Sequence, residues 1–229
     1  MLGHSLQRDG LSPIPTVHRD GLGNALRPPL CLELELGDSI PGSNAEYRRE
    51  GQVCGTLMPM RVFGIDCGTE ITGYGVVESD DTRRQPRLVM KAMGAIRLAK
   101  SKTLPVRLEQ VFRELSVELE RWKPDAVAIE EVFYSVNAKS ALKLGQVRGV
   151  ALLAAAVQGL PVAEYAPLTI KSSVVGYGLA KKEQVQFMVA RLLELAEVPQ
   201  PADAADALAV AICHIHTAQT LALQEAPRR

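Results

Sequence analysis

Two short apolar runs in this chain each end in a carboxylate: Arg61–Asp66 (RVFGID) and Ala126–Glu130 (AVAIE). Both have the composition of a buried strand and neither contains proline. An acid that closes an otherwise apolar strand is costly unless it is solvated or neutralised. If the two strands are parallel neighbours, Asp66 and Glu130 emerge side by side. The chain is thereby restricted to folds with a central sheet whose strand ends can carry chemistry.

The flanking pattern supplies the rest of such a sheet. Residues 74–78 and 88–97 read as two further strands and 162–165 as a short last one. Over 103–122, Leu104, Leu108, Val111, Phe112, Leu115 and Leu119 recur at helical intervals, and Lys123 and Pro124 end the run. Residues 138–158 read as a second helix, apolar over a wide arc, and two more helices are expected near 181–195 and 202–219. The order β-β-β-α-β-α-β-α-α predicts an α/β domain with a mixed sheet flanked by helices. Regular patterning starts at Met60. Residues 1–59 are rich in Gly, Pro, Arg and Asp, and are expected to form a disordered extension or to reflect a mis-assigned start. Residues 60–219 form the expected working domain, and 220–229 a flexible tail.

Composition excludes several classes. Cys31, Cys54, Cys67 and Cys213 are scattered without a C-x-x-C pair, which argues against structural zinc and for a reduced, cytoplasmic setting. No apolar run approaches the ~20 residues of a bilayer span, and no signal-peptide pattern opens the chain, so no membrane association is expected. Net formal charge is zero: residues 1–59 carry five Lys/Arg and seven Asp/Glu, the remainder 21 and 19. A nuclease with an acidic centre and a basic rim sums to such a value, so the charge leaves nucleic-acid binding open.

A second pair of acids, Asp203 and Asp206, lies in PADAADALA at the start of the last expected helix. A spacing of three puts both on one helix face, with Cβ atoms about 5–6 Å apart. The alanines at 202, 204, 205, 207 and 209 let this helix approach a sheet closely. Taken alone, the pair equally suits a helix N-terminus and its dipole. Together with Asp66 and Glu130 it makes four carboxylates that would raise one another's pKa. Divalent cations relieve that conflict, and an all-oxygen set suits Mg²⁺ or Mn²⁺ rather than zinc. Two such ions about 3.5–4 Å apart can clamp the attacking and leaving oxygens of a phosphodiester. Metal-assisted hydrolysis of nucleic acid is the expected reaction class.

Five segments carry a closer likeness: GIDCGTEITGYGV (64–76), AIEEVF (128–133), NAKSALKLGQVRGVA (137–151), KSSVVGYG (171–178) and ADAADALAVA (202–211). In this order and spacing the chain resembles the RuvC family from about Met60 to Thr217. The resemblance implies a ribonuclease H-like fold with a five-stranded mixed sheet, a homodimer, and resolution of four-way (Holliday) DNA junctions in recombination and repair. It implies paired symmetric nicks that leave 5′-phosphates, after RuvA and RuvB have bound and migrated the junction. The family's catalytic and metal-binding positions fall on Asp66, Glu130, Asp203 and Asp206, holding two Mg²⁺ with Mn²⁺ as a substitute. Some relatives have His at the position of Asp203. The family usually has Pro where this chain has Cys67, a departure that touches the turn after Asp66.

Expected DNA contacts are Phe133, Tyr134, Asn137, Lys171 and Lys182. An aromatic beside a nuclease site stacks on unpaired bases, and the resemblance favours Phe133 for opening the junction. Tyr134 is equally readable as core. Lys171 and Lys182 match DNA-binding positions of the family; Lys181, beside them, reads as a solvated face. Lys139, Lys143 and Arg148 lie on the helix that lines the dimer in this family and are weaker candidates for DNA. That helix is apolar on more than one face, which calls for a second partner: either a second copy or the monomer's own core. His214 and His216, two apart on a helix, point to different faces and read as structural.

GIDCGT also resembles the first phosphate turn of actin-like ATPases and sugar kinases. Those need a second such turn and a second domain, and no second D-x-G-T is present. A non-catalytic junction binder and an RNA-processing cousin compete as well. The complete acidic set argues against the former and the full run of matching segments against the latter.

Overall fold

The structure, a computed structural model, describes residues 59–80, 87–131 and 138–225. Three strands open the domain: β1 (Arg61–Asp66), β2 (Ile71–Asp80) and β3 (Arg87–Arg97). Then come α1 (Leu104–Trp122), β4 (Ala126–Glu130), α2 (Ala138–Val157), β5 (Val162–Tyr165), α3 (Pro167–Val175), α4 (Lys182–Leu192) and α5 (Ala202–Glu225). The five strands form one sheet in the order β3-β2-β1-β4-β5. β1 to β3 are antiparallel, while β4 and β5 run parallel to β1. The expected five-stranded mixed sheet with flanking helices is therefore what the chain forms.

Strand alternation sorts the core into two layers. Phe63, Ile65, Val127 and Ile129 face α1 and α2, joined there by Val111, Leu115 and Leu119 and by Val147, Ala151, Ala154 and Ala155. Val62 and Ala128 face the other way, onto Ile170 and Val174 of α3, Val185 and Val189 of α4, and Leu208, Ile212 and Ile215 of α5. Each fully buried side chain of this size contributes about 1.5–3 kcal/mol. By the same alternation Asp66 and Glu130 point to the α5 side.

α1 begins with proline in its first turn and ends at Lys123, whose left-handed φ of 45° lets its N–H bond the Leu119 carbonyl. Pro124 then bars further helix. At the start of β1, Arg61 pairs with Glu78 (2.5 Å) and also donates to the Trp122 carbonyl (2.8 Å), tying that end of the sheet to the end of α1.

Several expectations need correction. β2 extends past 74–78 in both directions because its partners β1 and β3 continue the ladder. α3 was not anticipated; it is short, starts with proline and has an apolar face too brief to show a period. α5 runs to Glu225, so residues 220–225, expected to begin a flexible tail, are helical. No uninterrupted apolar run reaches a bilayer's span, but α2 is long and apolar enough to cross one by overall length and composition, although Lys143 and Arg148 interrupt it. It packs one face on α1 and leaves Leu142, Leu153 and Val157 exposed.

Candidate active site

Asp66 and Glu130 meet because of strand register. β1 and β4 pair in parallel through Ile65 opposite Ile129, so one step further the two carboxylates sit on neighbouring strand ends. Across the hairpin Asp66 pairs with Gly73 of β2. The turn between them is tight: Thr72 is fully buried and its hydroxyl donates to the Gly68 carbonyl at 3.3 Å. Cys67 lies in this turn as a free thiol. Burial, then the Asp66 charge, pushes that thiol up to about 12, so it stays protonated.

The second acidic pair arrives through backbone contact. α5 crosses β1 and β2 at glycines with no room for a side chain. A Cβ on Gly73 would stand 2.0 Å from the Asp203 carbonyl oxygen, and one on Gly64 would stand 2.1 Å from that of Ala207. Buried Ala204, Ala207 and Ala211 present the matching small surface on the helix. This close approach brings the first turn of α5, with Asp203 and Asp206, to the strand ends that carry Asp66 and Glu130. Sequence reading anticipated the alanines and missed the glycines. Gly73 and Gly75, spaced by two within TGYGV, mark one face of a strand and were a legible sign of close backbone approach.

The four acids are electrostatically coupled. Burial and the charges of Glu130, Asp206 and Asp203 raise Asp66 to about 7, only partly offset by Lys182. Burial and then Asp206 also raise Glu130, against the pull of Lys171 and Lys182. Lys182, at the start of α4, places its Nζ 2.5 Å from Oδ2 of Asp206, and that hydrogen bond raises the lysine. Glu130, Asp206, Lys171 and Lys182 rim a cleft of about 180 Å³ floored by Pro167, Ile170, Val185, Ala209 and Val210. Lys171 and Lys182, expected as DNA contacts, thus lie beside the acids.

Among the described residues, no three His, Cys, Asp or Glu side chains already close around a common point as they stand. The donor set nevertheless fits hard cations. It is all carboxylate, it stands on rigid element ends, and its crowding holds protons that a divalent ion would displace. Asp206 already takes a cation, the Lys182 ammonium.

The remaining candidates divide. Phe133, Tyr134 and Asn137 lie outside the described residues. Lys139 and Lys143 sit on exposed positions of α2. Arg148, a weaker candidate for DNA, is turned inward instead: it bonds the Glu130 carbonyl and pairs with Glu164 of β5. His214 and His216 are structural, as expected. Nδ1 of His214 shares a 2.8 Å hydrogen bond with the Tyr165 hydroxyl, and burial lowers its pKa to about 4. Nδ1 of His216 contacts the Ser173 carbonyl at 3.1 Å.

Comparison with known proteins agrees with this geometry. The family model for the crossover junction endodeoxyribonuclease RuvC matches residues 62–214. The chain is 70% identical over 169 residues to the crossover junction endodeoxyribonuclease RuvC of Acidobacterium capsulatum, covering 72% of this chain and 99% of that one. The Koribacter versatilis protein of the same name is 61% identical over 162 residues, covering 71% and 96%. Among solved structures, Thermus thermophilus RuvC matches with a TM-score of 0.66 at 33% identity, over 71% of this chain and 98% of that one. The T. thermophilus RuvC complex with a Holliday junction substrate matches with a TM-score of 0.64 at 31% identity, over 70% and 96%. With five collinear segments, the paired acidic strand ends and these matches in agreement, the chain belongs to the RuvC family of crossover junction endodeoxyribonucleases.

Proposed function

We propose that this chain resolves four-way DNA junctions in recombination and repair, by paired symmetric nicks made through metal-dependent phosphodiester hydrolysis. The observation that carries this is the convergence of Asp66, Glu130, Asp203 and Asp206 where β1, β4 and α5 meet. These four residues would hold two Mg²⁺ ions, with Mn²⁺ as a substitute. When bound, such ions activate a water and stabilise the charge that develops on the leaving oxygen. Asp66 must lose the proton it keeps up to about pH 7 before it can serve as a ligand. Asp206, paired here with Lys182, would be one of the residues to hold an ion, and the Lys182 ammonium would then be available to a backbone phosphate. Lys171, which also lines the cleft, would supply a second phosphate contact. Phe133, Tyr134 and Asn137 follow Glu130 closely in sequence and are proposed to hold bases and backbone near the cut.

Symmetric nicking needs duplicated chemistry, which a two-fold dimer supplies. The exposed face of α2, with Leu142, Leu153 and Val157, is the proposed contact with the second copy. We further propose that RuvA and RuvB deliver the junction and that the protein works in the cytoplasm, in keeping with the free thiols of Cys67 and Cys213. Residues 60–219 would suffice for cleavage. The test is incubation of the full chain, and of one lacking residues 1–59, with a synthetic mobile four-way junction in Mg²⁺, Mn²⁺ or EDTA, read on a denaturing gel. Paired nicks from both chains in either metal, and none in EDTA, are expected. Absence of nicking in both metals would overturn the function, and loss on truncation alone would make the leader part of the working protein.

A further inference from the structure

Arg148 reaches the catalytic strand ends from α2. Its Nε donates to the Glu130 carbonyl at 3.3 Å, and its Nη2 pairs with the Glu164 carboxylate on β5. Only 17% of its side chain is exposed, against 43% for Glu164. A planar fork with several donors suits two simultaneous partners, a carbonyl and a carboxylate, in a way an ammonium does not. With those donors spent inward, Arg148 is poorly disposed to bind a phosphate.

We propose that Arg148 is a positioning residue: by holding the Glu130 carbonyl and pairing with Glu164 from the α2 side of the sheet, it fixes the end of β4 and with it the Glu130 carboxylate on the opposite side. The inference rests on the metal-dependent reading of the site given above. Glu130 stands on the last residue of β4, where the ladder with β1 has already ended at Ile129 and only Tyr165 of β5 still pairs with it. Extra restraint there matters, because small misplacements of a ligand weaken an ion's hold, and groups that orient ligands typically change metal affinity by about 10–100-fold. α2 also carries the face proposed to meet a second copy, so this arginine joins that face to the chemistry.

The test compares full-length Arg148→Ala, Arg148→Lys and Glu164→Gln with the wild type. The Mn²⁺ dependence of cleavage, kcat at saturating junction, junction affinity in Ca²⁺ against salt, and direct Mn²⁺ binding by calorimetry without DNA are measured. Arg148→Ala is expected to need about tenfold more Mn²⁺ for half-maximal rate and for direct binding, and to lower kcat. Junction affinity and its salt slope stay at wild-type values. Arg148→Lys retains charge but not the fork and falls between, and Glu164→Gln shows the smallest shift. Unchanged Mn²⁺ binding in Arg148→Ala overturns the proposal. So does a junction affinity that drops with a salt slope shallower by about one, which would make Arg148 a phosphate contact. If Arg148→Ala does not fold, Arg148→Lys and Glu164→Gln decide, and wild-type Mn²⁺ binding in both is fatal. A wild type that binds Mn²⁺ but cuts no junction would sink the functional reading, while the calorimetry still tests Arg148.

Discussion

The two ends of β1 treat charge in opposite ways. At its start, Arg61 and Lys91 surround Glu78. Burial works against that carboxylate, but the Arg61 hydrogen bond and the two positive charges outweigh it and hold Glu78 below the usual range. At its finish, Asp66 faces three more acids and is raised to about 7. One end is neutralised by its own side chains; the other is left in conflict, relieved only in part by Lys182. A fold keeps an unresolved cluster of like charges where a bound cation completes it. The contrast separates a carboxylate that holds the structure together from carboxylates proposed to do the chemistry.

The largest test of the contrast is Asp66→Asn or Glu130→Gln. Each removes a proposed ion ligand, and cleavage should fall by roughly a thousandfold or more, since such ions supply several kcal/mol of transition-state stabilisation. Junction binding in Ca²⁺ should persist, because phosphate contacts elsewhere supply the affinity. Nicking at the wild-type rate in either variant would remove that residue from the ligand set.

Next in size is Lys182→Ala. Loss of one phosphate contact should weaken binding and make the salt dependence shallower by about one in slope. The same change removes the cation that relieves Asp66, so the Asp66 proton should be held to higher pH still. A salt slope equal to wild type would leave Lys182 as an internal counter-charge alone.

The ends also differ in the sign of their pH dependence. Folded Asp66 keeps its proton to about pH 7, against an ordinary value of 3.8. Between those values the folded state binds more protons than the unfolded one, so metal-free stability falls as pH rises through that window. Glu78, lowered from 4.5, adds stability that is present above that value and lost as pH falls through its depressed pKa. Thermal melts in EDTA should show the Asp66 slope flattened in Asp66→Asn and kept in Glu78→Gln. The reverse result would mean that the two ends have been assigned the wrong way round.

Smallest is the effect of Glu78→Gln itself on stability, about 1 kcal/mol or less for a pair still partly open to water. Cleavage should be unchanged. A tenfold loss of rate would show that the two ends communicate.

Much of this site was legible from the sequence because strand alternation is local. RVFGID and AVAIE place their acids on strand ends without any knowledge of the fold, and the spacing of Asp203 and Asp206 fixes their shared helix face. What stayed hidden depends on contacts between distant segments. The role of Gly73 shows only once α5 is laid over it. The inward turn of Arg148 depends on a carbonyl and a carboxylate from two other elements. α3 escaped notice because nine residues starting at proline give too short a period to read. The ion pair of Lys182 with Asp206 joins two helices whose packing no spacing rule supplies.

The Gly73 crossing has a mechanical consequence. Where a helix rests on a sheet through side chains, rotamer changes give it play; here backbone lies on backbone, and that slack is missing. So close an approach leaves α5 little freedom to shift over β1 and β2, and the turn that carries Asp203 and Asp206 is held firmly with it. Whatever adjustment a substrate demands then falls to carboxylate rotation and to the long, bendable stem of Lys182.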